Sequence, residues 1–280
     1  MVVAGVDWPV TLSTAADRAL DALESTDRSR WADEVGLGAD GTTTALADAA
    51  AEAALLEYLA EELPSATLCS EEAGVVEGRG EGPGAGILLV VDPVDGTNNV
   101  LAGIPYWAVS IGVLIDGTAV GGLVRNAATG EDMFGWAGLG VSRGGLRAGT
   151  SDVSRIGDAA VALQRPADPC ALERARQVFA ACRLPRVLGS AALDLALVAT
   201  GGLDAYVNVN TDPELPFGER VVDYAAGAIM VEAGGGVVTD VNGDPVPLRA
   251  DLGLRVPLVA AATAELHEDL LDRLQTGAED

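Results

Sequence analysis

Residues 87–99 read ILLVVDPVDGTNN, and the fold turns on this stretch. ILLVV is a continuous apolar run between turn-forming segments, the pattern of a strand buried on both faces. The run ends at Asp92, which places that carboxylate at the rim of a sheet, where α/β proteins take ligands. Pro93 stiffens the turn and Asp95 returns a second carboxylate close by. Gly96-Thr97 then lead into a short helix whose first N–H groups are free to meet an anion. An ordinary Asx turn would satisfy the same Asp, Pro and Gly, so the surroundings must decide the chemistry.

Upstream, residues 9–35 and 44–62 are Ala-rich with apolar residues at helical spacing, predicting two helices. Between them lies GLGADGTTT, whose threonines are expected to cap the second helix. A short strand TLCS leads to Glu71 and Glu72. Downstream, YWAVSIGVLIDG, TAVGGLVRN and DMFGW read as an antiparallel meander turned at Asp116-Gly117. The C-terminal half alternates: a strand at AAVALQ, a helix over 170–181, a strand at RVLGS, a helix over 191–200 and a strand at LDAYVNV. Asp223 opens a helix, DYAAGAIMVEAGGG, closed by glycines. A strand at VPLVAAA and a helix over 264–275 complete a layered α/β pattern.

Glu71, Asp92, Asp95 and Asp223 thus all stand at the ends of strands or the start of a helix. Two carboxylates 4 Å apart repel by roughly 4 kcal/mol at an effective dielectric of about 20. A cluster of four therefore calls for divalent cations. Oxygen-only ligands point to Mg²⁺, with Mn²⁺ as a substitute, rather than zinc or copper.

Composition narrows the chemistry further. The chain of 280 residues is 49% hydrophobic and carries 42 acidic against 17 basic residues, a net charge of -25. It can bury a sizeable core, whereas nucleic acid and anionic membrane are poor partners for so acidic a surface. Every basic residue except His267 is an arginine, so lysine-based phosphate binding and Schiff-base chemistry are excluded. The missing lysines and dense carboxylates fit GC-rich coding or adaptation to a salt-rich cytosol, the halophilic reading. His267, among charged neighbours, is expected at the surface. Cys69, Cys170 and Cys182 have no CxxC spacing and read as small hydrophobes in a reducing cytoplasm. MVVAGVDWPV has no basic n-region and the longest apolar run, GILLVV, is far short of a membrane span. A soluble, cytoplasmic protein is expected.

Three separated blocks, SEE (70–72), DPVDGTNN (92–99) and VDYAAGAIMVEAGG (222–235), together with GADGTTTALAD (38–48), resemble the inositol monophosphatase family. Within that family they resemble the archaeal branch, active on both inositol monophosphate and fructose 1,6-bisphosphate. It spans about residues 36–235. It implies an αβαβα sandwich, a homodimer and a small phosphorylated substrate cleaved by metal-activated water. It implies two or three Mg²⁺ held by Glu71, Asp92, the Val94 carbonyl, Asp95 and Asp223, with Asp40 at a third, weaker site. Thr97, paired with Asp48, would orient the attacking water, with Glu71 also serving catalysis. Asp95, Gly96, Thr97, Ser190 and Ala191 would lie beside the substrate, and Arg186 and Arg220 would contact its phosphate. On their own, Asp48 reads equally as a solvated helix residue, Asp40 as a turn residue and each arginine as a surface charge. The same resemblance makes 1–280 one phosphatase unit, with a metal-site lobe over 1–152 and a substrate lobe over 153–280 carrying Asp223.

This chain departs from the family pattern at Val100, Val222 and Asn208, where an aromatic, a tryptophan and a carboxylate are usual, and in an insertion over 211–220. Those departures bear on substrate choice. A nucleotide such as 3′-phosphoadenosine 5′-phosphate or NADP is the alternative substrate, disfavoured by an aromatic content of 4%. A catalytically silent phosphometabolite-binding protein is the reading from another class.

Overall fold

The structure is a computed structural model and describes residues 1–3, 5–39, 41–212 and 217–276. Five layers alternate helix and sheet. The first holds α1 (Trp8–Ser25) and α2 (Leu46–Glu62), packed side by side. α1 turns Trp8, Leu12, Ala15, Ala16, Ala19 and Leu23 inward at helical spacing. Trp8 meets Trp136 with ring centroids 5.5 Å apart, which seats the helix on the sheet below.

That sheet has eight strands in the order 146–148, 140–143, 131–136, 118–126, 108–115, 87–95, 67–70 and 74–76. All neighbours are antiparallel except Thr67–Ser70 beside Ile87–Asp95. The meander expected between Tyr106 and Gly135 is present, turned by Asp116 and Gly117, both at positive φ. The edge strands 146–148 and 74–76, and strand 140–143 next to the first of them, carry no sequence signal, being short and weakly apolar.

The short α3 (Thr97–Ala102) follows the central strand, and α4 (Pro169–Ala181) lies in the outermost layer. α5 (Ala191–Ala199) and α6 (Val221–Gly234) form the middle layer, against the eight-stranded sheet on one side and a five-stranded sheet on the other. The second sheet runs 184–186, 160–163, 205–208, 258–261, 237–240, its first two pairings parallel and the rest antiparallel. α4 and α7 (Ala264–Thr276) cover its far face. The architecture is therefore the expected αβαβα sandwich. None of its described helices is long and apolar enough to cross a membrane.

Small residues let the middle layer close tightly. A Cβ on Gly227 would lie 2.4 Å from the Leu195 Cβ, so α5 and α6 cross at a distance only glycine permits. Burying both helices this closely holds the first turn of α6, with Asp223, against the strand ends.

Several local expectations are corrected. α1 stops at Ser25 rather than near residue 35, because Ser25 and Thr26 hydroxyls bond back to the Asp21 and Ala22 carbonyls and Asp27 accepts from the Ser29 N–H. The threonines of GADGTTT do not cap α2: Thr43 and Thr44 pair as a strand with 34–37, and Ala45 stands at the N-cap without a side-chain bond. The strand at RVLGS sits earlier, at Leu184–Arg186. His267 is buried at 5% exposure, its Nε2 2.9 Å from the Thr239 hydroxyl, and burial lowers its pKa.

Candidate metal centre

The central strand runs further than its apolar stretch: it continues through Asp95. Along it Ile87, Leu89 and Val91 face the α1–α2 layer while Val90 faces α5 and α6, so Asp92 falls on the α6 side. Asp95, three residues on, would alternate to the opposite face. The register prevents this, because Asp92 pairs with Ser110 but Asp95 pairs with Ala108, so one extra residue is inserted. Such a bulge returns Asp95 to the face of Asp92. There its Oδ2 accepts from the Ser190 hydroxyl and from the Ala192 N–H at 2.7 Å. Sequence reading took these residues for a turn after the strand.

Glu71 follows directly on Thr67–Ser70, whose parallel register sets Ser70 opposite Val91, and so brings Glu71 beside Asp92. Asp223 is the third residue of α6 and reaches back to accept from the Arg220 N–H at 2.7 Å, the carboxylate half of a capping box. Carboxylate oxygens of Glu71, Asp92 and Asp223 lie within 4.8 Å of one another. Asp95 is not part of that triplet but lines the same cavity, of about 290 Å³, with Val94, Gly96, Thr97 and Ala191.

Electrostatics mark this cluster as incomplete by itself. Burial, opposed by Arg220 and reinforced by Asp223, pushes Glu71 up to about 8. Burial and the Glu71 charge drive Asp92 well above the carboxylate range. Burial also raises Asp95 to about 7. The Arg220 guanidinium donates to Glu71 Oε1, and its Nε is 3.5 Å from Asp223 Oδ2. Arg220 is the cation engaged with these buried carboxylates, so holding them all ionised calls for a divalent ion, and every donor is a hard oxygen. The residues present fit Mg²⁺ or Mn²⁺.

Thr97, the first residue of α3, places its Oγ1 3.1 Å from Asp48 Oδ1 and 3.2 Å from the Val94 carbonyl. The α3 N-cap is Gly96 at φ 101°, in the left-handed region, which turns Thr97 back over the carboxylates. Burial raises Asp48 to about 7. Asp48, Thr97, Glu71 and Glu72 also line a second cavity of about 320 Å³, so Glu71 and Thr97 stand between the two. Asp40, expected at a third metal, lies outside the described residues.

The other expected contacts divide. Ala191 lines the cavity, whereas the Ser190 hydroxyl is committed to Asp95. Arg220 is in the cavity wall but engaged with the carboxylates. Arg186 is exposed, donates to the Pro185 carbonyl at 2.9 Å and does not line the cavity.

Four residues escaped sequence reading. Glu52, one turn after Asp48 on α2, accepts from the Ser70 hydroxyl and the Glu72 and Ala73 N–H groups, clamping the turn that carries Glu71. Its i, i+4 spacing from Asp48 was a readable signal. Glu219 is buried at 3% exposure in the cavity wall, its Oε1 accepting from the Tyr206 hydroxyl and from Asn208 Nδ2 at 2.9 Å. Burial raises it to about 8. Gln164 and Arg255 complete the wall.

Asp194, on α5, accepts from the Tyr106 hydroxyl at 2.5 Å, and burial raises its pKa to about 8. A carboxyl raised above its unfolded value of about 4 contributes stability fully below that value, and loses it as pH rises toward 8. Asp194→Asn removes the titration and keeps an acceptor for Tyr106. Denaturation is expected to show wild type and variant nearly equal at pH 4, with the variant more stable by on the order of 2–4 kcal/mol at pH 8. A difference independent of pH would contradict this assignment.

The chain is similar to known proteins over almost its whole length. A model of the inositol monophosphatase family matches residues 10–278. The fructose-1,6-bisphosphatase/inositol-1-monophosphatase of Methanothermobacter thermautotrophicus is 33% identical over 278 residues, covering 95% of each chain. The protein of the same description from Archaeoglobus fulgidus is 33% identical over 246 residues, 86% of this chain and 88% of that one. The crystal structure of extragenic suppressor protein suhB from Bartonella henselae superposes with a TM-score of 0.82 at 28% identity, over 97% of this chain and 100% of that one. With the layered fold and these likenesses in agreement, the chain belongs to the inositol monophosphatase family.

Proposed function

We propose that this chain is a divalent-cation-dependent phosphomonoester hydrolase acting on inositol monophosphate, fructose 1,6-bisphosphate or both. The observation that carries the reading is the Glu71, Asp92 and Asp223 oxygen triplet opening on one cavity with Thr97, whose hydroxyl donates to Asp48. The names of the two archaeal relatives support the substrate class.

Glu71, Asp92, Asp95, Asp223 and the Val94 carbonyl would hold Mg²⁺ or Mn²⁺. Bound there, the cation neutralises charge on the phosphoryl group and acidifies water. The chain's own residues supply the orientation. Thr97 gives its hydroxyl proton to Asp48, which leaves the Oγ1 lone pairs to accept a proton from the attacking water and aim its oxygen at phosphorus. The new P–O bond forms as the ester P–O bond breaks; the attacking water's proton is drawn toward the Thr97–Asp48 pair, and the departing alkoxide takes up a proton from a solvent water to leave as alcohol. Glu71 belongs to the triplet and also lines the second cavity with Thr97 and Asp48, so it would tie the water and the carboxylates to one geometry.

Phosphate release from inositol 1-phosphate, fructose 1,6-bisphosphate and 3′-phosphoadenosine 5′-phosphate, with Mg²⁺ and with excess chelator, tests this. Mg²⁺-dependent release from the first or second is expected, with the nucleotide slower. Binding of these compounds without any release would instead support the silent binding protein.

A further inference from the structure

The carboxylate cluster forms one part of the cavity, and a segment far from it in sequence forms another. Glu219 and Val256 exchange backbone hydrogen bonds of 3.0 and 2.8 Å, an isolated bridge that sets Phe217 and Gly218 alongside Arg255. A Cβ on Gly218 would fall 2.8 Å from the Arg255 Cβ, so the absence of a side chain at 218 lets the arginine stem lie against the wall. Arg255 is half-buried and lines the cavity.

Its guanidinium is little used. Among the described residues its hydrogen bond is Nη1 to the Gly218 carbonyl, long at 3.4 Å, and no carboxylate lies within ion-pair distance. Glu219, its neighbour in the wall, is drawn the other way, toward Tyr206 and Asn208. Arg220, the other arginine lining the cavity, is committed to Glu71 and Asp223. Arg255 therefore keeps most of its planar N–H fork uncommitted at the wall of the space a substrate would fill, and such a fork matches a phosphate oxygen pair.

We propose that Arg255 binds a second phosphate on the substrate, remote from the ester that is cleaved, and so sets a preference for bisphosphorylated sugars over polyol monophosphates. This rests on the phosphatase reading above and adds Arg255 to the phosphate contacts that the resemblance gave to Arg186 and Arg220. Gln164 and Phe217, beside it in the wall, bound the subsite, and Arg165 covers the ring of Phe217 with its guanidinium carbon 4.1 Å from the centroid.

Arg255→Gln and Arg255→Lys, made in the full chain and assayed with Mg²⁺, test the assignment. Wild type is expected to favour fructose 1,6-bisphosphate over inositol 1-phosphate. In Arg255→Gln the KM for the bisphosphate should rise about tenfold or more relative to that for the monophosphate, the scale of one hydrogen-bonded charge. Its kcat should hold, and lysine should restore part of the preference. Equal changes on both substrates, or none on either, overturn the subsite. A second measurement needs no turnover: calorimetric binding of fructose 1,6-bisphosphate and fructose 6-phosphate in a Thr97→Ala background. The tighter binding of the bisphosphate should vanish when Arg255→Gln is added; if it persists, Arg255 does not read the second phosphate. Absence of hydrolysis in wild type would count against the phosphatase reading, while the binding comparison would still decide the subsite.

Discussion

Asp92→Asn is expected to lower kcat by more than about 100-fold, beyond the cost of losing a residue that only supports a metal ligand. Asp92 is 3% exposed and its charge is raised in energy by Glu71, Asp95 and Asp223, so it has no use as a carboxylate except against a cation. Asparagine keeps the shape and an oxygen able to accept from the Val94 N–H, now 3.0 Å from Asp92 Oδ1. The fold should therefore survive. In chelator the variant should melt at or above wild type, because an unpaired buried charge has been removed. Melting of the variant well below wild type would assign Asp92 a structural role instead.

Thr97→Ala is the second large effect, a fall in kcat of roughly 10²-fold or more, the usual scale for a positioned proton acceptor. Its hydroxyl is 3.1 Å from Asp48, and α2 delivers that carboxylate because its first turn lies over the DPVDGT segment. Alanine leaves Glu71, Asp92 and Asp223 in place, so Mg²⁺ affinity measured by titration should change little. Near-normal kcat would mean that the water is oriented without the pair.

Much of this arrangement is legible in the sequence, and the illegible parts share a cause. Glu71, Asp92 and Asp223 each follow a local signal: a strand end, a strand end and a helix start. Asp95 could be read as a ligand but its route could not, since DPVD fits a turn as well as a bulge, and only the pairing of Asp95 with Ala108 distinguishes them. Glu219 and Val256 pair in a single backbone bridge across 36 intervening residues, which brings Arg255 beside Gly218 and which no periodicity announces. Arg186 was placed at the phosphate by resemblance, but an edge strand turns it outward. His267 sits beside Leu266 on the face of α7 that also carries Leu270 and Leu274, and the Thr239 hydroxyl gives its ring a partner there. Charged neighbours in sequence suggested solvent; the helix face decided otherwise.

Anomalous diffraction from crystals soaked in Mn²⁺ tests the central claim most directly. The account predicts a peak among the carboxylates of Glu71, Asp92 and Asp223, at about 2 Å from their oxygens as expected for a hard cation of this size, and its loss in Asp92→Asn. Well-ordered density for these side chains at saturating Mn²⁺, with Arg220 still on Glu71 and no anomalous peak between them, would contradict it.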